Sequence, residues 1–237
     1  MKTFRAKTGP ILHRPYYDDH EIESTCDDEL KKVGLMPATP SPVRIDRFVE
    51  KKFGITHSYD DLATGILGYT RFGSKGVEAI VVERSLEDGS DVSKRRLRST
   101  LAHEAGHGLF HTHLFLLPGA SHRQLFSDSA HDHTPRVLCR GIVGSENGGS
   151  RGYQGEWWEF HANRAIGALL LPRQLLEAAL KVFMKDVGGI IGGFELPLSA
   201  REDAIKAVAQ IFDVNPPVAR YRIGQFYPVS ASMQGRL

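Results

Sequence analysis

The sequence has few cysteines: its 237 residues contain only Cys26 and Cys139, which are far apart. So small a number excludes a secreted fold that is held together by disulfides. No apolar run reaches the roughly 18 residues that a membrane-spanning helix needs. The first twenty residues carry basic side chains but no apolar segment behind them, which argues against a secretory signal. We therefore expect a cytoplasmic protein with no membrane partner.

The sequence also lacks an excess of either charge. It has 30 Lys and Arg against 28 Asp and Glu, a net charge of +2, so charge alone indicates neither a nucleic-acid coat nor a membrane-surface protein. Hydrophobic residues at 41% and charged residues at 24% are ordinary values for a globular chain that can bury a core. The unusual number is eleven histidines, of which six lie between positions 103 and 131.

Helical and strand-like segments predict an α+β fold. We expect residues 1–20 to be an irregular N-terminal segment and residues 21–193 to form the main domain. Within that domain, residues 114–152 are rich in Gly, Ser, His and Asp and predict a long loop excursion. Residues 194–237 form a C-terminal helical segment.

The predicted elements follow from apolar periodicity and from turn residues. The helices are expected at residues 21–33, 42–53, 93–111, 156–171, 172–186, 201–212 and 216–226. The strands are expected as a hairpin of residues 66–72 and 77–83, with a further short strand at residues 136–143. Ser41 and Pro42 together predict the start of the second helix. A three-residue turn joins the last two helices, which gives them the outline of a helix-turn-helix.

Residues 103–107 read His-Glu-Ala-Gly-His inside a segment with helical patterning. Positions i and i+4 of a helix share one face, so His103 and His107 can present their imidazoles to a single ion. Glu104 is adjacent and can reach a water molecule at that ion. This is the HExxH pattern of zinc enzymes, with two ligands and a general base that moves the proton of the attacking water.

A catalytic zinc site usually has three protein ligands and one open position. His113 is one candidate, but the HExxHxxGxxH pattern requires a glycine at position 110, where this chain has Phe110. In an unbroken helix, His113 points about 120° away from His107. Glu159 and Glu156, on the next strong helix, are better candidates. They are three residues apart and share a face, so helix geometry does not choose between them.

The two motifs together resemble the ImmA/IrrE family of zinc metallopeptidases. The second motif of this chain reads Glu159-Phe160-His161-Ala162-Asn163 and ends in Leu169-Leu170-Leu171-Pro172. The resemblance covers roughly residues 20–185 and includes the segment from Arg98 to Ala102 before the HExxH. The chain departs from the family pattern by apolar exchanges at Ala165, Ile166 and Leu171, and by its longer excursion.

The resemblance implies a zincin-like minimal metallopeptidase, in which a small twisted sheet packs on the HExxH helix and on a second ligand-bearing helix. It implies that Glu159 is the third zinc ligand and that Asn163 orients one of the metal ligands without binding the metal itself. It also implies a protein substrate, such as a helix-turn-helix transcriptional repressor whose cleavage relieves repression of stress or mobile-element genes.

Several polar residues have more than one interpretation. His111 continues the face of the two histidine ligands and either contacts them or is simply a polar residue at the helix end. His131 and Cys139 belong either to a polar loop or to a second metal cluster, and Cys139 could also bind the zinc. Tyr69, Tyr153 and several histidines are possible donors to the oxyanion that forms during hydrolysis.

The alternative function is a regulatory module that binds DNA or protein and has a structural zinc site without peptidase activity. DNA contact would use residues 199–226, where Arg220 and Arg222 lie in the second helix of the pair. A closed site with four protein ligands would favour this alternative, whereas an open site favours the enzyme.

Overall fold

A computed structural model of the chain describes residues 2–5, 13–116, 136–139, 157–186 and 194–229. It has seven α-helices in those ranges: α1 (Asp19–Lys32), α2 (Ile45–Phe53), α3 (Asp91–Leu116), α4 (Trp157–Leu170), α5 (Arg173–Leu180), α6 (Leu198–Ile211) and α7 (Pro216–Phe226). The predicted α+β class is confirmed. The helix with the HExxH pattern is α3, and it continues past the predicted end at residue 111.

The central sheet has four strands in the order β3-β5-β4-β6. They are β3 (Ser58–Asp60), β4 (Gly68–Gly73), β5 (Gly76–Glu83) and β6 (Arg136–Cys139). The predicted hairpin is confirmed, because β4 and β5 pair antiparallel around a tight turn. Strand β3 runs parallel to β5, and β6 pairs antiparallel with β4, which makes the sheet mixed. Helix α3 packs across β4 and β5.

The prediction of an irregular N-terminal segment is wrong. Strands β1 (Lys2–Arg5) and β2 (His13–Tyr16) pair antiparallel, and α1 begins at Asp19. The side chain of Asp18 accepts a hydrogen bond from the backbone N–H of Glu21, while the Glu21 side chain accepts one from Asp18 N–H. This capping box satisfies backbone groups at the helix start. The two strands lack an apolar alternation, so the sequence pattern does not reveal them.

Two helix starts also differ from the prediction. Helix α2 begins at Ile45 rather than at Pro42, because the Ser41 hydroxyl donates to the Thr39 carbonyl and caps no helix. Helix α6 begins at Leu198, directly after Pro197 and three residues before the predicted start at residue 201. The start of α7 is confirmed, with Pro216 in the first helical position.

The C-terminal helices belong to the same core as the rest of the chain. Ile205 of α6 and Ile223 of α7 are buried in one cluster with Phe48 of α2 and Leu169 of α4. The turn between α6 and α7 is fastened to α3, where the Arg98 guanidinium donates to the carbonyls of Phe212 and Asp213. Helices α6 and α7 are therefore held by contacts with α2, α3 and α4.

Two short strands, β7 (Lys185–Asp186) and β8 (Phe194–Glu195), form a final antiparallel pair before α6. Among the described residues, no helix combines the length and apolar character needed to cross a membrane.

Candidate metal centre

The inner face of α3 is polar although it is buried. His103, Glu104, His107 and His111 have no exposed surface. Burying polar groups costs free energy unless they are paired, so a run of four such side chains facing the core requires partners. The partners come from α4 and from the central sheet.

Three side chains converge at the contact between α3 and α4. The Nε2 atoms of His103 and His107 lie 3.0 Å apart. The Glu159 carboxylate, on α4, approaches both rings, with Oε2 at 3.1 Å from His103 Nε2 and Oε1 at 3.2 Å from His107 Nε2. Their ligand atoms form a compact triangle that could hold a metal ion.

The dimensions of this triangle suit a metal ion. Nitrogen and oxygen ligands at about 2.0–2.2 Å from a tetrahedral ion lie about 3.3–3.5 Å from one another. The observed separations of 3.0–3.2 Å are slightly shorter. Two imidazoles and a carboxylate also match the His₂Glu donor set of catalytic zinc sites. In the described part of the chain, no fourth His, Cys, Asp or Glu joins the group.

The electrostatics of Glu159 favour its charged form. Burial raises the pKa of its carboxyl, but the hydrogen bonds with His103 and His107 outweigh burial and hold the pKa at about 2. The Glu159 side chain is 18% exposed, whereas both histidines are fully buried. Of the three side chains, Glu159 is therefore the one with surface open to solvent.

The carboxylate of Glu104 lies against strand β4. The Thr70 hydroxyl is 2.8 Å from Glu104 Oε2 and 3.0 Å from the Glu104 backbone carbonyl. Glycine at position 68 leaves room for this carboxylate, since a Cβ there would lie 3.2 Å from Glu104 Oε1 and 2.7 Å from Thr100 Cγ2. Strand β4 therefore positions the proposed base in two ways: Thr70 hydrogen-bonds to its carboxylate, and Gly68 leaves space for it.

Glycine also sets the distance between the two ligand-bearing helices. A Cβ at Gly106 would lie 2.7 Å from Ala165 Cβ and 3.0 Å from Ala162 Cα, both on α4. The small residues allow the helix backbones to approach closely. That approach brings Glu159 to the two histidines.

Behind the triangle, two more histidines form a second row. His107 Nδ1 lies 3.0 Å from His111 Nδ1, and His111 Nε2 lies 3.5 Å from His161 Nδ1. The rings of His111 and His161 are stacked, with centroids 5.7 Å apart. Burial lowers the pKa of His111 well below its usual value and that of His161 to about 4, and neighbouring histidines add to both effects.

The described residues resolve part of the remaining alternatives. Helix α3 continues unbroken past His113, whose side chain is half-buried and takes no part in the triangle. Tyr69 alternates with Thr70 along β4 and therefore faces away from Glu104. Asn163 is half-buried on α4, and its positioning role stays a prediction.

Other candidates lie outside what the structure describes. They are Glu156, His131 and Tyr153. Cys139 is at the end of β6, where its backbone pairs with Tyr69, and its side chain is not described.

Comparisons of the chain with protein-family models, with curated proteins and with solved structures find no match. The family resemblance therefore remains a prediction from the motifs.

Sequence reasoning missed two contributors to the site, Thr70 and His161. A signal for Thr70 exists in the alternation of β4, where Gly68, Thr70 and Phe72 form the buried face. A threonine on that face needs a hydrogen-bond partner. For His161 the sequence offers no signal beyond its place two residues after Glu159.

Proposed function

We propose that this chain is a zinc-dependent endopeptidase that hydrolyses a peptide bond in a protein substrate. The observation that carries the proposal is the triangle of His103, His107 and Glu159, with a second carboxylate, that of the buried Glu104, in the HExxH position next to it. Zinc, when held by these side chains, supplies Lewis-acid chemistry that acidifies water and polarises a carbonyl group.

The residues of the chain provide the proton transfers. Glu104 accepts a proton from the attacking water and delivers it to the nitrogen of the leaving amine. The carbon–oxygen bond to the water oxygen forms first, and the carbon–nitrogen bond then breaks, which yields a carboxylate and an amine. The Thr70 hydroxyl lies 2.8 Å from Glu104 Oε2 and keeps that carboxylate in one orientation. His103, His107 and Glu159 hold the metal and do not take part in proton transfer.

The substrate proposed from the motif resemblance is a helix-turn-helix transcriptional repressor in the cytoplasm. Cleavage of such a repressor would link the enzyme to stress or mobile-element genes.

The alternative of a structural zinc is less well supported. It would use a fourth protein ligand, and His111 is the nearest described candidate. His111 lies on the far side of His107, however, with its Nδ1 beside His107 Nδ1 rather than beside the triangle. DNA binding through α7 is also less well supported. Arg222 is fully buried and so cannot contact DNA, and the charge of Arg220 is paired with Glu202.

A comparison of the wild-type protein with Glu104→Gln tests the peptidase. Both proteins are loaded with zinc and incubated with an extract of the producing cells, and new peptide N termini are identified by mass spectrometry. The wild-type protein should generate new termini, and Glu104→Gln should slow their appearance by at least about 100-fold at equal zinc content. Equal cleavage by both proteins would contradict the role of Glu104. Absence of new termini with the wild-type protein would favour the structural-zinc alternative.

A further inference from the structure

In the row of histidines behind the metal triangle, the direction of each hydrogen bond follows from the number of hydrogens on each ring. A neutral imidazole carries one ring hydrogen, on either Nδ1 or Nε2, and the other nitrogen is an acceptor. A histidine that binds a metal through Nε2 therefore carries its hydrogen on Nδ1. His107 faces the triangle with Nε2, so its Nδ1–H points towards His111.

The order continues through the next two rings. The Nδ1 atoms of His107 and His111 are 3.0 Å apart, so only one of them can carry a hydrogen. If His107 donates, His111 accepts at Nδ1 and carries its own hydrogen on Nε2. That nitrogen faces His161 Nδ1 at 3.5 Å, which is at the limit of hydrogen bonding. His161 then accepts in turn.

Water is not expected to take the place of His111 as the acceptor, because the surroundings of these rings are aromatic and buried. Trp157 contacts both His111 and His161 edge-on, with centroid distances of 5.6 and 5.5 Å. Tyr17 contacts His161 from the side of α1, with centroids 5.2 Å apart. His111 is fully buried and His161 is 3% exposed. If His111 were removed, His107 Nδ1–H would lose the acceptor that it has among the described residues.

We propose that His111, supported by His161, is a positioning residue that fixes His107 in the tautomer able to bind the metal. The role is usually filled by a carboxylate or a backbone carbonyl, and here a neighbouring imidazole on the same helix fills it. This inference rests on the proposed metal site but not on peptidase activity.

Zinc affinity, measured with zinc ions alone in competition with a chromophoric chelator, tests the proposal. Partners of this kind typically contribute 10–100-fold to metal affinity. His111→Phe should weaken zinc binding by about that factor. His111→Asn should restore most of the affinity, since its side-chain oxygen can take the place of Nδ1 as the acceptor.

The matched control is His113→Phe, two residues further along α3 and outside the row. It should change zinc affinity by less than about threefold, a difference well under 1 kcal/mol. The proposal is overturned if His111→Phe binds zinc as tightly as the wild type. It is also overturned if His113→Phe weakens binding as much as His111→Phe does.

A spectroscopic measurement on the wild-type protein keeps the proposal testable even if His111→Phe does not fold. Long-range ¹H–¹⁵N NMR spectra of the zinc-loaded protein report which ring nitrogen of each histidine carries the hydrogen. We expect His111 in the Nε2–H form with an unprotonated Nδ1. A His111 ring with its hydrogen on Nδ1 would reverse the direction of the bond and contradict the proposal. Because neither readout involves peptide cleavage, an inactive protein leaves this test intact.

Discussion

At the scale of single residues, the Thr70 hydroxyl is expected to hold the Glu104 carboxylate in the orientation that a general base needs. Thr70→Val keeps the shape but removes the donor 2.8 Å from Glu104 Oε2. A hydrogen bond to a charged group contributes about 1.5–3 kcal/mol. Turnover of the substrate found by the cleavage assay should therefore fall by roughly 10–100-fold in kcat, with KM and zinc content unchanged.

Thr70→Ser is the matched control, because it retains the hydroxyl and loses only a methyl group. It should keep most of the wild-type kcat. If the serine and valine variants were equally slow, packing of the methyl group rather than the hydrogen bond would explain the effect.

Some residues of the candidate site could be predicted from the sequence, and others could not. His103 and His107 could be predicted because two positions four apart on a helix share a face. The choice between Glu159 and Glu156 could not be made from spacing, since positions three apart share a face of a predicted helix. Thr70 reaches Glu104 across 34 positions of sequence, and only the folded sheet brings the two together.

At the scale of secondary-structure elements, the contact between α3 and α4 determines whether the ligands meet. Gly106→Ala should force the helices apart, because the new Cβ would be 2.7 Å from Ala165 Cβ. Overpacking typically costs about 1–3 kcal/mol and exceeds the roughly 1 kcal/mol gained from helix propensity. We expect lower thermal stability and weaker zinc binding, measured by calorimetry and by chelator competition.

Gly224→Ala in α7 is the control for that experiment. The nearest atom to its new Cβ is Arg201 Nη2, at 3.9 Å, so the side chain fits. This variant should be neutral or more stable by up to about 1 kcal/mol. Equal effects of the two substitutions would show that close helix approach at Gly106 is unimportant.

Elements with a strong periodic pattern could be predicted, and those formed by backbone pairing could not. Burial alternates strictly along β4, as expected for a strand with one buried face. The β1–β2 pair has no such pattern, and its hydrogen bonds form between backbone groups that every residue has.

At the scale of the whole molecule, Arg222 connects the C-terminal helices to the ligand-bearing half. Its guanidinium is fully buried, is ion-paired with Glu23 of α1, and donates to the Leu171 carbonyl at the end of α4. Removing one partner of a buried pair costs about 3–5 kcal/mol. Arg222→Ala should therefore lower Tm by roughly 6 °C or more, measured by calorimetry.

Arg220→Ala is the matched control two residues earlier in α7. Both side chains of its ion pair with Glu202 are exposed, so Arg220→Ala should change Tm far less than Arg222→Ala does. If the two variants unfolded at the same temperature, the Arg222 contacts would not be needed to hold α7 in position.

The sequence predicts the helix-turn-helix outline of α6 and α7. It does not predict that α7 packs into the core, because that packing depends on contacts with α1 and α4.

The central claim is that His103, His107 and Glu159 hold one zinc ion while Glu104 does not bind it. Elemental analysis of the wild type, Glu159→Ala and Glu104→Gln, purified side by side without added metal, tests this most directly. We expect one zinc per chain in the wild type and in Glu104→Gln, and none in Glu159→Ala. Zinc retained equally in all three proteins would contradict it, because the metal would then be bound without the α4 carboxylate.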